Sequence, residues 1–390
     1  MCGGGNGAHA LIGTFLMTND RWKVRAYLPL KDERRRFKDA ITSRSTFDVQ
    51  IGNDAFQGDA RRVRVTGDAE EACRARLIAI VVPAFAHRAV LSQISDFLGH
   101  EHVVLVLPAR SGFEYEIRAL GRLGERGGPC VIGFQTLPWA CRTNRFGQSV
   151  MIYGAKRRVG AASFPNERIL GIKDQLSRWL NIPVVPYGSM LELSLANTGQ
   201  LIHPGIMYAS FADRRDEVFP SREEIPLFYT GVDEHAAAVL SAMSDEILAI
   251  RMAMEASHPG VHLPKVVHLS RWLHDAYGDA IEDSSSLARM FQTNSGYQGL
   301  TVPVTEAPRG YRIDVHARYL TEDLPFGLAV SKGIASIMGI PTPTIDEVIT
   351  HTSRWIGKEY LVGGKLTGRD VDATRAPQRF GIGDVTGLIA

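Results

Sequence analysis

The second half of the chain contains side chains suited to moving protons and to binding a carboxylate. His203 lies in the apolar stretch LIHPGIMYASF, and ARYLTEDLPFG places Arg318, Glu322 and Asp323 just before a predicted helix. An imidazole exchanges protons near neutral pH, and an adjacent acid can hold it in one tautomer. A guanidinium can grip a carboxylate with two parallel hydrogen bonds. Together these groups suit a reduction at C=O or C=N beside a carboxylate, although each alone also fits a structural histidine or a surface ion pair.

A glycine cluster at the start of the chain has the spacing of a phosphate-binding turn. The sequence GGGNGA at residues 3–8 fits G-x-G-x-x-[GA]. Small residues there let backbone N–H groups and a helix N-terminus approach a pyrophosphate closely. A helical pattern at Ala8–Met17 follows directly, and a strand candidate at Lys23–Leu28 stands where the second strand of a dinucleotide fold belongs. We predict a dinucleotide-binding turn rather than an ordinary one, with the cofactor-binding positions Gly3, Gly5, Asn6, Gly7 and Ala8.

This turn has no strand before it in the sequence. In a doubly wound sheet the first strand is central, so its loss would remove ladder hydrogen bonds from both neighbouring strands. We therefore expect either that Met1 stands a few residues too late in this sequence or that another segment fills the gap.

The end of the second strand bears on the choice between NAD and NADP. An acidic residue there would accept hydrogen bonds from the ribose 2′-hydroxyl of NAD. The sequence instead runs YLPLKDERRR, with no acid at the strand end and Lys31, Arg34, Arg35 and Arg36 just after it. These cations form either a solvated helix face or a site for the 2′-phosphate of NADP. Both readings stay open, so the predicted cofactor is NAD(H) or NADP(H), with Arg34 as a candidate contact.

As far as residue 163, short apolar runs alternate with helical stretches. Such alternation favours a mostly parallel, doubly wound sheet of the Rossmann type. Further helices are predicted at Glu70–Arg76, Ala86–Leu98 and Phe113–Leu123. The strand candidates are rich in Val and Ile and are bounded by Gly, Pro or charged residues; they are Lys23–Leu28, Arg61–Val65, Leu77–Pro83, His102–Pro108, Cys130–Thr136 and Ser149–Tyr153.

The second half has a helical pattern with few strand candidates. Asp233–His258 repeats apolar residues at three-to-four spacing and predicts one long amphipathic helix. Thr344 and Glu347 have the spacing of a capping box at the start of a later helix. We predict an all-α second domain, with domains at residues 1–180 and 181–390; its other predicted helices are Pro264–Tyr277, Ser284–Gln292, Phe326–Met338 and Thr344–Ile356.

Composition limits the class of protein. The chain has 390 residues, 45% of them apolar, and a formal charge of +2, so no strong field would attract nucleic acid or a membrane surface. No apolar run is long enough to span a bilayer, and no leader pattern precedes the glycine turn. The four cysteines show neither a CxxC pair nor metal-like spacing with histidine. We therefore expect a cytoplasmic protein of two domains, with reduced thiols and no metal.

A third candidate site follows the fifth strand, at the carboxyl edge of the sheet where ligands of such folds bind. There TLPWACR places Trp139 and Cys141. No histidine or lysine lies nearby in the sequence to activate the thiol. We therefore interpret Cys141 as part of a wall of the site rather than as a nucleophile.

Several strings along the chain resemble the opine dehydrogenase family, and most closely its octopine-forming invertebrate members. They occur in the family's order and cover nearly the whole chain. The strings are CGGGNGAH at the start, VPAFAH (residues 82–87), TLPWACR (136–142), HP (203–204), RYLTEDLPFG (318–327), GKEYL (357–361), LTG and PQRFG (377–381).

The resemblance implies an enzyme that condenses an amino acid with a 2-oxo acid, usually pyruvate, and reduces the resulting imine with NAD(P)H. It implies that His203 is the general acid–base residue, Asp323 its orienting partner and Arg318 the ligand of the oxo-acid carboxylate. Trp272 and Cys141 would lie near the amino acid, and Pro83 near the cofactor. General acid–base catalysis contributes about 10²–10⁴-fold, so His203→Ala should lower the rate in that range.

Two positions depart from the octopine-forming relatives. Arg110 stands in LPARSGFEY where those relatives carry a glutamine near the amino-acid substrate, and Asn197 stands where they have a larger apolar residue. A guanidinium at residue 110 would repel an arginine side chain or pair with a substrate carboxylate. The resemblance therefore supports the reaction type, with the amine donor, arginine or a neutral or acidic amino acid, left open.

Two other functions remain possible on the sequence alone. One is a two-domain dehydrogenase acting on a hydroxy acid or a sugar phosphate, in which Lys332 would serve as the catalytic lysine. The other is a nucleotide sensor that binds the dinucleotide without turning over a substrate. Dependence of cofactor oxidation on an added amine separates all three. The partners predicted are small molecules, and the oligomeric state is not determined by the sequence.

Overall fold

The computed structural model describes residues 1–18, 20–123 and 127–389. Its contacts divide the chain into two compact units, an N-terminal unit, Met1–Leu193, and a C-terminal unit, Ser194–Ala390. The domain boundary inferred above after residue 180 stays a prediction. Among the described residues, no helix combines the length and the apolar character needed to cross a bilayer.

The N-terminal unit alternates strands and helices. Its helices are α1 (Asn6–Thr18), α2 (Lys31–Thr42), α3 (Ala69–Cys73), α4 (Ala84–Ile94), α5 (Phe113–Ala119), α6 (Arg168–Leu180) and α7 (Met190–Leu195), the last of which continues past the division between the units. Its strands are β1 (Val24–Tyr27), β2 (Thr46–Ile51), β3 (Asp54–Asp59), β4 (Val63–Thr66), β5 (Leu77–Ile80), β6 (Val103–Val106), β7 (Cys130–Phe134), β8 (Trp139–Arg145), β9 (Ser149–Ala155), β10 (Val159–Phe164) and β11 (Val184–Pro186).

The main sheet is built from two groups of strands, β4–β1 and β5–β6–β7–β10–β11. Neighbours from β5 to β7 are parallel, and β10 runs antiparallel to β7. These inner strands are almost entirely buried, as the Val- and Ile-rich runs predict. The doubly wound parallel sheet is therefore confirmed, and its carboxyl edge carries the glycine turn and the segments after β5, β6 and β7.

Residues Met1–Gly3 fill the gap between β1 and β5. Cys2 forms parallel bridges to Tyr27 on one side and to Ile80 on the other. Its N–H donates to Ala79 O at 2.7 Å, and its carbonyl accepts from Val81 N at 2.9 Å. The ammonium group of Met1 donates to Arg25 O at 2.7 Å, and burial lowers its pKa. The first residues of the chain thus take the place of the central first strand.

A second sheet, of order β3–β2–β9–β8, was not foreseen. The predicted strand Ser149–Tyr153 belongs to this sheet as part of β9, rather than to the doubly wound sheet, where β10 and β11 complete the row. The antiparallel pair β8–β9 contains two register irregularities, and β2 and β3 carry polar residues on their exposed face. β3 and β8 show neither a continuous apolar run nor a clean alternation, which explains why the sequence pattern missed them. β2, with the sequence TFDVQI, does alternate polar and apolar residues and was overlooked.

Helix α1 lies against this second sheet and is buried from Gly7 to Leu16. Within it, His9 fixes the glycine turn, because Nδ1–H donates to Gly5 O at 2.9 Å while Nε2 accepts from Gly147 N at 2.7 Å. Burial lowers the pKa of His9, which keeps the imidazole neutral. This neutral histidine connects the turn to the tip of the β8–β9 hairpin.

The C-terminal unit is largely helical, with one two-stranded hairpin. The predicted long helix is confirmed at Glu234–Ser257. Asp233 caps this helix by accepting a hydrogen bond from Ala236 N at 2.8 Å. The helices that lie wholly in this unit are α8 (Gly199–Phe211), α9 (Glu234–Ser257), α10 (Leu269–Tyr277), α11 (Leu287–Gln292), α12 (Arg318–Thr321), α13 (Ala329–Met338), α14 (Pro343–Trp355) and α15 (Val385–Ile389), and the strands are β12 (Val304–Ala307) and β13 (Gly310–Ile313).

The predicted capping box at α14 is wrong. Thr344 lies inside the helix, and its N–H donates to Glu246 Oε1 at 2.7 Å, while Ile345 N donates to Glu246 Oε2 at 2.9 Å. Glu347 instead accepts from the Tyr208 hydroxyl at 2.6 Å. A carboxylate from α9 therefore caps this helix, which no local sequence pattern reveals.

Candidate active site

Helix α8 and the segment after α12 bring an imidazole and a carboxylate together. His203 Nδ1 lies 2.7 Å from Asp323 Oδ2. Asp323 is 1% exposed and His203 is 19% exposed. A carboxylate accepts but does not donate, so the proton of this hydrogen bond belongs to Nδ1. The imidazole is thereby held in the tautomer that leaves Nε2 as an acceptor.

The second ring nitrogen also has a partner. His203 Nε2 lies 3.0 Å from the hydroxyl of Tyr229, which donates to it in this tautomer. Burial, above all, raises the pKa of Tyr229 well above its ordinary value, so the phenol stays protonated across the neutral range. Tyr229 is a contact that sequence reasoning missed, since no motif or spacing relates it to His203.

Aromatic rings enclose the histidine. The ring of Tyr319 stacks on the imidazole with a centroid separation of 4.1 Å and an interplanar angle of 6°. Tyr229 stacks on Tyr297 at 4.3 Å, and Tyr297 contacts Tyr277 at 4.9 Å. Trp272 meets Tyr277 edge to face at 6.0 Å. Trp272 therefore stands at the end of a continuous row of rings that leads to His203.

Arg318 lies one residue before the stacked Tyr319 and is anchored by an acid. Its Nε donates to Glu322 Oε2 at 2.7 Å, and Nη2 donates to the same oxygen. Glu322 is 2% exposed, whereas Arg318 is 54% exposed. The buried carboxylate orients the guanidinium and leaves much of it accessible to a ligand carboxylate.

The chain after Asp323 forms a wide turn before α13. Leu328 N donates to Asp323 O at 2.9 Å, a bond between residues five apart, and Pro325 stands early in this turn. Such widened turns recur at functional sites. At Gly327 a Cβ atom would meet Gln200 Cβ at 2.6 Å, so glycine allows this turn to approach α8 closely. This close approach sets the separation between His203 and Asp323.

Lys332 serves structure rather than chemistry. It is 8% exposed, and its Nζ lies 2.7 Å from Asp346 Oδ1 and 3.2 Å from Thr342 Oγ1. An ammonium held by a carboxylate inside the helical unit is not poised to act as a base. The catalytic-lysine alternative therefore receives no support from the structure.

In the N-terminal unit, the glycine turn has the shape that a dinucleotide needs. At Gly3, with φ +117°, a Cβ would collide with the Val81 carbonyl, and at Gly7 it would meet Leu137 and Val81 side chains at 2.9 Å. At Gly5 it would meet nothing within 4 Å, so this backbone faces open space. Helix α1 begins at Asn6, and the first-turn N–H groups of a helix lack intrahelical partners.

The other predicted cofactor residues line the same edge of the sheet. Asn6 Oδ1 accepts from Thr143 N at 3.0 Å, which joins the start of α1 to β8. Ala8 is fully buried in α1. Pro83 follows β5 and precedes the first residue of α4. These residues fit a pyrophosphate held at the N-terminus of α1, with the segment after β5 as the next wall of the site.

The basic residues after β1 are mostly engaged with the protein. Arg34 Nη1 donates to Leu28 O at 3.0 Å and to Pro29 O at 3.1 Å. Arg35 pairs with Asp32 at 3.2 Å, and the guanidinium of Arg36 lies 5.1 Å from the centre of the Phe146 ring.

Sequence reasoning also missed an acid beside the turn. A Cβ at Gly4 would collide with Glu33 Oε1, so this carboxylate lies against the glycine turn. Glu33 comes from the first turn of α2 rather than from the end of β1, where the dinucleotide pattern expects an acid.

Two cations stand after β6 and β9. Arg110 has a φ of +63°, a conformation that non-glycine residues seldom adopt outside constrained functional segments. Lys156 Nζ donates to Thr136 Oγ1 at 2.7 Å. Lys156 is an exposed residue, but the protein packed around its ammonium reduces its hydration, and this effect, together with the Arg110 charge, lowers the pKa of Lys156 to about 8.

Cys141 lies on β8 opposite Ile152 and is half-buried against the hydrophobic core. Burial raises the pKa of its thiol to about 11, so it is a neutral thiol at physiological pH. A protonated thiol fits a wall of a site rather than a nucleophile.

The C-terminal unit thus assembles His203, Asp323, Arg318 and Trp272, whereas the other predicted residues belong to the N-terminal unit. A family model described as the alpha-helical domain of NAD/NADP octopine/nopaline dehydrogenase matches residues 186–356. Over its full length the chain is 36% identical to tauropine dehydrogenase of Arabella iricolor and covers 99% of it. It is 34% identical to octopine dehydrogenase of Pecten maximus and covers 98% of it. The chain belongs to the opine dehydrogenase family.

The solved structures agree with this assignment. A structure of octopine dehydrogenase with NADH and L-arginine matches with a TM-score of 0.91 and 31% identity, over 99% of this chain and 96% of that one. The protein is therefore an NAD(P)-dependent oxidoreductase that acts on CH–NH groups. It condenses an amino acid with a 2-oxo acid and reduces the product to an N-(carboxyalkyl)amino acid. The predicted family, fold, reaction and cofactor class are confirmed.

The close approach at Gly327 predicts a specific defect. In Gly327→Ala the new methyl group must displace α8 or the wide turn, which should lower the free energy of unfolding by about 1–3 kcal/mol. Because His203 and Asp323 sit on the two displaced segments, turnover should fall as well. Thermal melting and steady-state kinetics measure both effects.

Gly171→Ala is the matched control, because a Cβ at this helical glycine of α6 meets nothing within 4 Å. It should be neutral or stabilising. A Gly327→Ala enzyme with unchanged melting temperature and unchanged turnover would contradict the role assigned to this contact.

Proposed function

We propose that His203 is the general acid–base residue of imine formation in this enzyme, and that Asp323 fixes its tautomer and orientation. The observation that carries the proposal is the 2.7 Å hydrogen bond between Nδ1 of His203 and a carboxylate that is 1% exposed. A buried acid in this position stabilises the imidazolium that forms when His203 takes up a proton.

The protons of the reaction match this arrangement. The amine arrives as an ammonium ion and must lose one proton before its nitrogen attacks the carbonyl carbon of the oxo acid. The hydroxyl group of the resulting carbinolamine must gain one proton to leave as water. His203 takes up the first proton and returns one for the second step, so the imidazole ends each condensation as it began.

Arg318 is proposed to bind the carboxylate of the oxo acid. Glu322 holds one edge of the guanidinium, and the exposed part provides N–H groups for a carboxylate. Structures of octopine dehydrogenase were solved with NADH and pyruvate and with NADH and L-arginine. We propose pyruvate as the oxo acid here as well.

The cofactor is proposed to bind over Gly3–Ala8, with its pyrophosphate at the N-terminus of α1. When bound, the reduced nicotinamide supplies the hydride that reduces the imine. Glu33 is proposed to accept hydrogen bonds from the ribose hydroxyls, and its negative charge would repel a 2′-phosphate. Because Arg34 is tied to the carbonyls of Leu28 and Pro29, we propose a preference for NADH over NADPH.

The amine donor is proposed to carry no cationic side chain. Arg110 and Lys156 place positive charge at the carboxyl edge of the main sheet, and their mutual repulsion contributes to the low pKa of Lys156. A donor with a guanidinium would add a third cation, whereas a neutral or acidic donor would not. We propose a neutral or acidic amino acid, or an amine with a sulfonate.

The enzyme is proposed to act in the cytoplasm, where its four cysteines stay reduced.

A donor panel tests the reaction and the acid–base assignment. With pyruvate, NADH oxidation should require an amine, run faster with alanine, aspartate or taurine than with arginine, and be slower with NADPH. His203→Ala should lower kcat by about 10²–10⁴-fold because proton transfer loses its carrier. Oxidation without any amine, or a His203→Ala enzyme of normal activity, would refute the respective assignment.

Substitution of the first cation should alter donor choice. Arg110→Gln removes a positive charge while keeping hydrogen-bonding capacity, so kcat/KM for arginine relative to aspartate should rise roughly tenfold. The measurement compares both donors in the wild type and the variant. Arg178→Gln, at an exposed position of α6, removes the same charge elsewhere and should leave the ratio unchanged. An unchanged ratio in Arg110→Gln would place the donor away from this residue.

The second cation predicts a pH dependence. Lys156 is charged below pH about 8 and loses its charge as the pH rises through that value. The KM for aspartate, relative to that for alanine, should therefore increase by roughly fivefold between pH 7 and 9. The titration of the amine itself cancels in this ratio, because both donors share it. Lys156→Met should abolish the increase, and a wild-type ratio independent of pH would argue against contact with the donor.

A further inference from the structure

The hydrogen bonds of His203 leave a question about how protons reach the substrate. Nδ1 holds its proton against Asp323, so Nε2 is the nitrogen that must exchange protons. Nε2 in turn lies 3.0 Å from the hydroxyl of Tyr229. The Tyr229 hydroxyl also forms a hydrogen bond with the hydroxyl of Tyr319, so Tyr229 lies between Tyr319 and Nε2. With the Tyr229 hydroxyl in this position, a substrate atom cannot reach the lone pair of Nε2. Either Tyr229 moves away in every cycle, or it takes part in the transfer.

The packing of Tyr229 holds its hydroxyl in place. Its ring stacks on the buried ring of Tyr297 at 4.3 Å with an angle of 15°. The buried ring of Phe228 meets it edge to face at 4.9 Å. Tyr319 covers one face of the imidazole at 4.1 Å, so the histidine is confined as well. Displacing the hydroxyl from Nε2 would disturb several aromatic contacts at once.

The chemistry of Tyr229 suits a carrier that stays neutral. Burial raises its pKa well above the ordinary value, and the pKa of the neighbouring Tyr319 is raised for the same reason. Such a phenol stays neutral, because it neither holds an extra proton nor ionises to a phenolate by itself. It can still pass a proton on by accepting one at its oxygen while its own proton leaves.

We propose that protons pass between His203 Nε2 and the substrate through the hydroxyl of Tyr229, which is the group that touches the reacting atoms. In the first transfer, the ammonium N–H bond breaks and a new O–H bond forms at Tyr229, while the former Tyr229 proton bonds to Nε2. In the second transfer, Nε2 returns a proton to Tyr229 as the phenol proton moves to the carbinolamine hydroxyl, which leaves as water. Tyr229 is a neutral phenol before and after each transfer.

This inference rests on the proposed acid–base role of His203 and adds a second residue to it. Direct transfer and relayed transfer make opposite predictions for Tyr229→Phe. If Tyr229 only blocks Nε2, removing its hydroxyl should leave the rate unchanged or raise it. If Tyr229 carries the proton, the phenyl ring of the variant has no hydroxyl group to connect Nε2 with the substrate, and the rate should fall.

The test measures NADH oxidation with pyruvate and alanine, or with a better amine if the donor panel identifies one. We expect Tyr229→Phe to lower the single-turnover rate by about 10–10²-fold, whereas the steady-state KM should change little. Tyr297→Phe is the matched control, because it keeps the stacked ring and removes a hydroxyl that does not contact His203. It should retain a rate close to that of the wild type.

A proton inventory in mixtures of H₂O and D₂O tests the same point without a variant. Relayed transfer moves two protons together, so the wild-type rate should depend on deuterium fraction along a curve, and a straight line would overturn the relay. A Tyr229→Phe enzyme as fast as the wild type would overturn it too. If His203→Ala also kept its rate, the proposed function would fail; if His203→Ala were inactive, only the relay would fail.

Discussion

The buried carboxylate of Asp323 is the constraint on which the helical unit depends. An ionised group with almost no contact with water is costly unless hydrogen bonds compensate it, and the Nδ1–H of His203 supplies one of them. This bond joins residues 120 positions apart, so α8 and the turn before α13 must meet within narrow limits. Gly327 permits that approach because it has no side chain to hold the two segments apart. The same bond fixes the tautomer, which leaves Nε2 of His203 as a hydrogen-bond acceptor.

In the N-terminal unit, the contacts around the glycine turn determine how it would meet the proposed pyrophosphate. Residues Met1–Gly3 pair with both neighbouring strands, so the turn that follows starts from a fixed position in the sheet. His9 then ties Gly5 to Gly147 through its two ring nitrogens. Glycine at residues 3 and 7 avoids collisions with Val81 and Leu137. The turn is therefore shaped by its neighbours as much as by its own composition.

Hydration and charge differ between the surroundings of His203 and the proposed donor site. Protonated phenols and the buried carboxylate of Asp323 lie against His203, whereas Arg110 and Lys156 place positive charge at the edge of the main sheet. The raised pKa values of the tyrosines and the lowered pKa of Lys156 both follow from restricted hydration, because desolvation favours the neutral form of either type of group.

The sequence determined the parts of this protein that depend on local pattern. Apolar runs marked β1, β4, β5, β6 and β7 of the main sheet, although β10 and β11 were not predicted. Helical spacing marked α9, and the glycine spacing marked the start of α1. The strings around His203, Arg318 and Asp323 indicated the family and its reaction through their resemblance to opine dehydrogenases. Cys141 was interpreted as a neutral wall, and its raised pKa agrees with that interpretation.

Tertiary structure decided what depends on residues far apart in the chain. The sequence marked β9 but could not show that it pairs with β2 in a second sheet, because that pairing joins segments about a hundred residues apart. The cap of α14 likewise came from Glu246, almost a hundred residues away. Tyr229 and Glu33 could not be recognised from spacing, since a phenol or a carboxylate becomes functional only through the neighbour it faces. Whether two groups lie within hydrogen-bonding distance depends on how whole helices and strands pack, and no local sequence pattern predicts that packing. The sequence therefore specified the chemistry available, and the fold determined which groups share it.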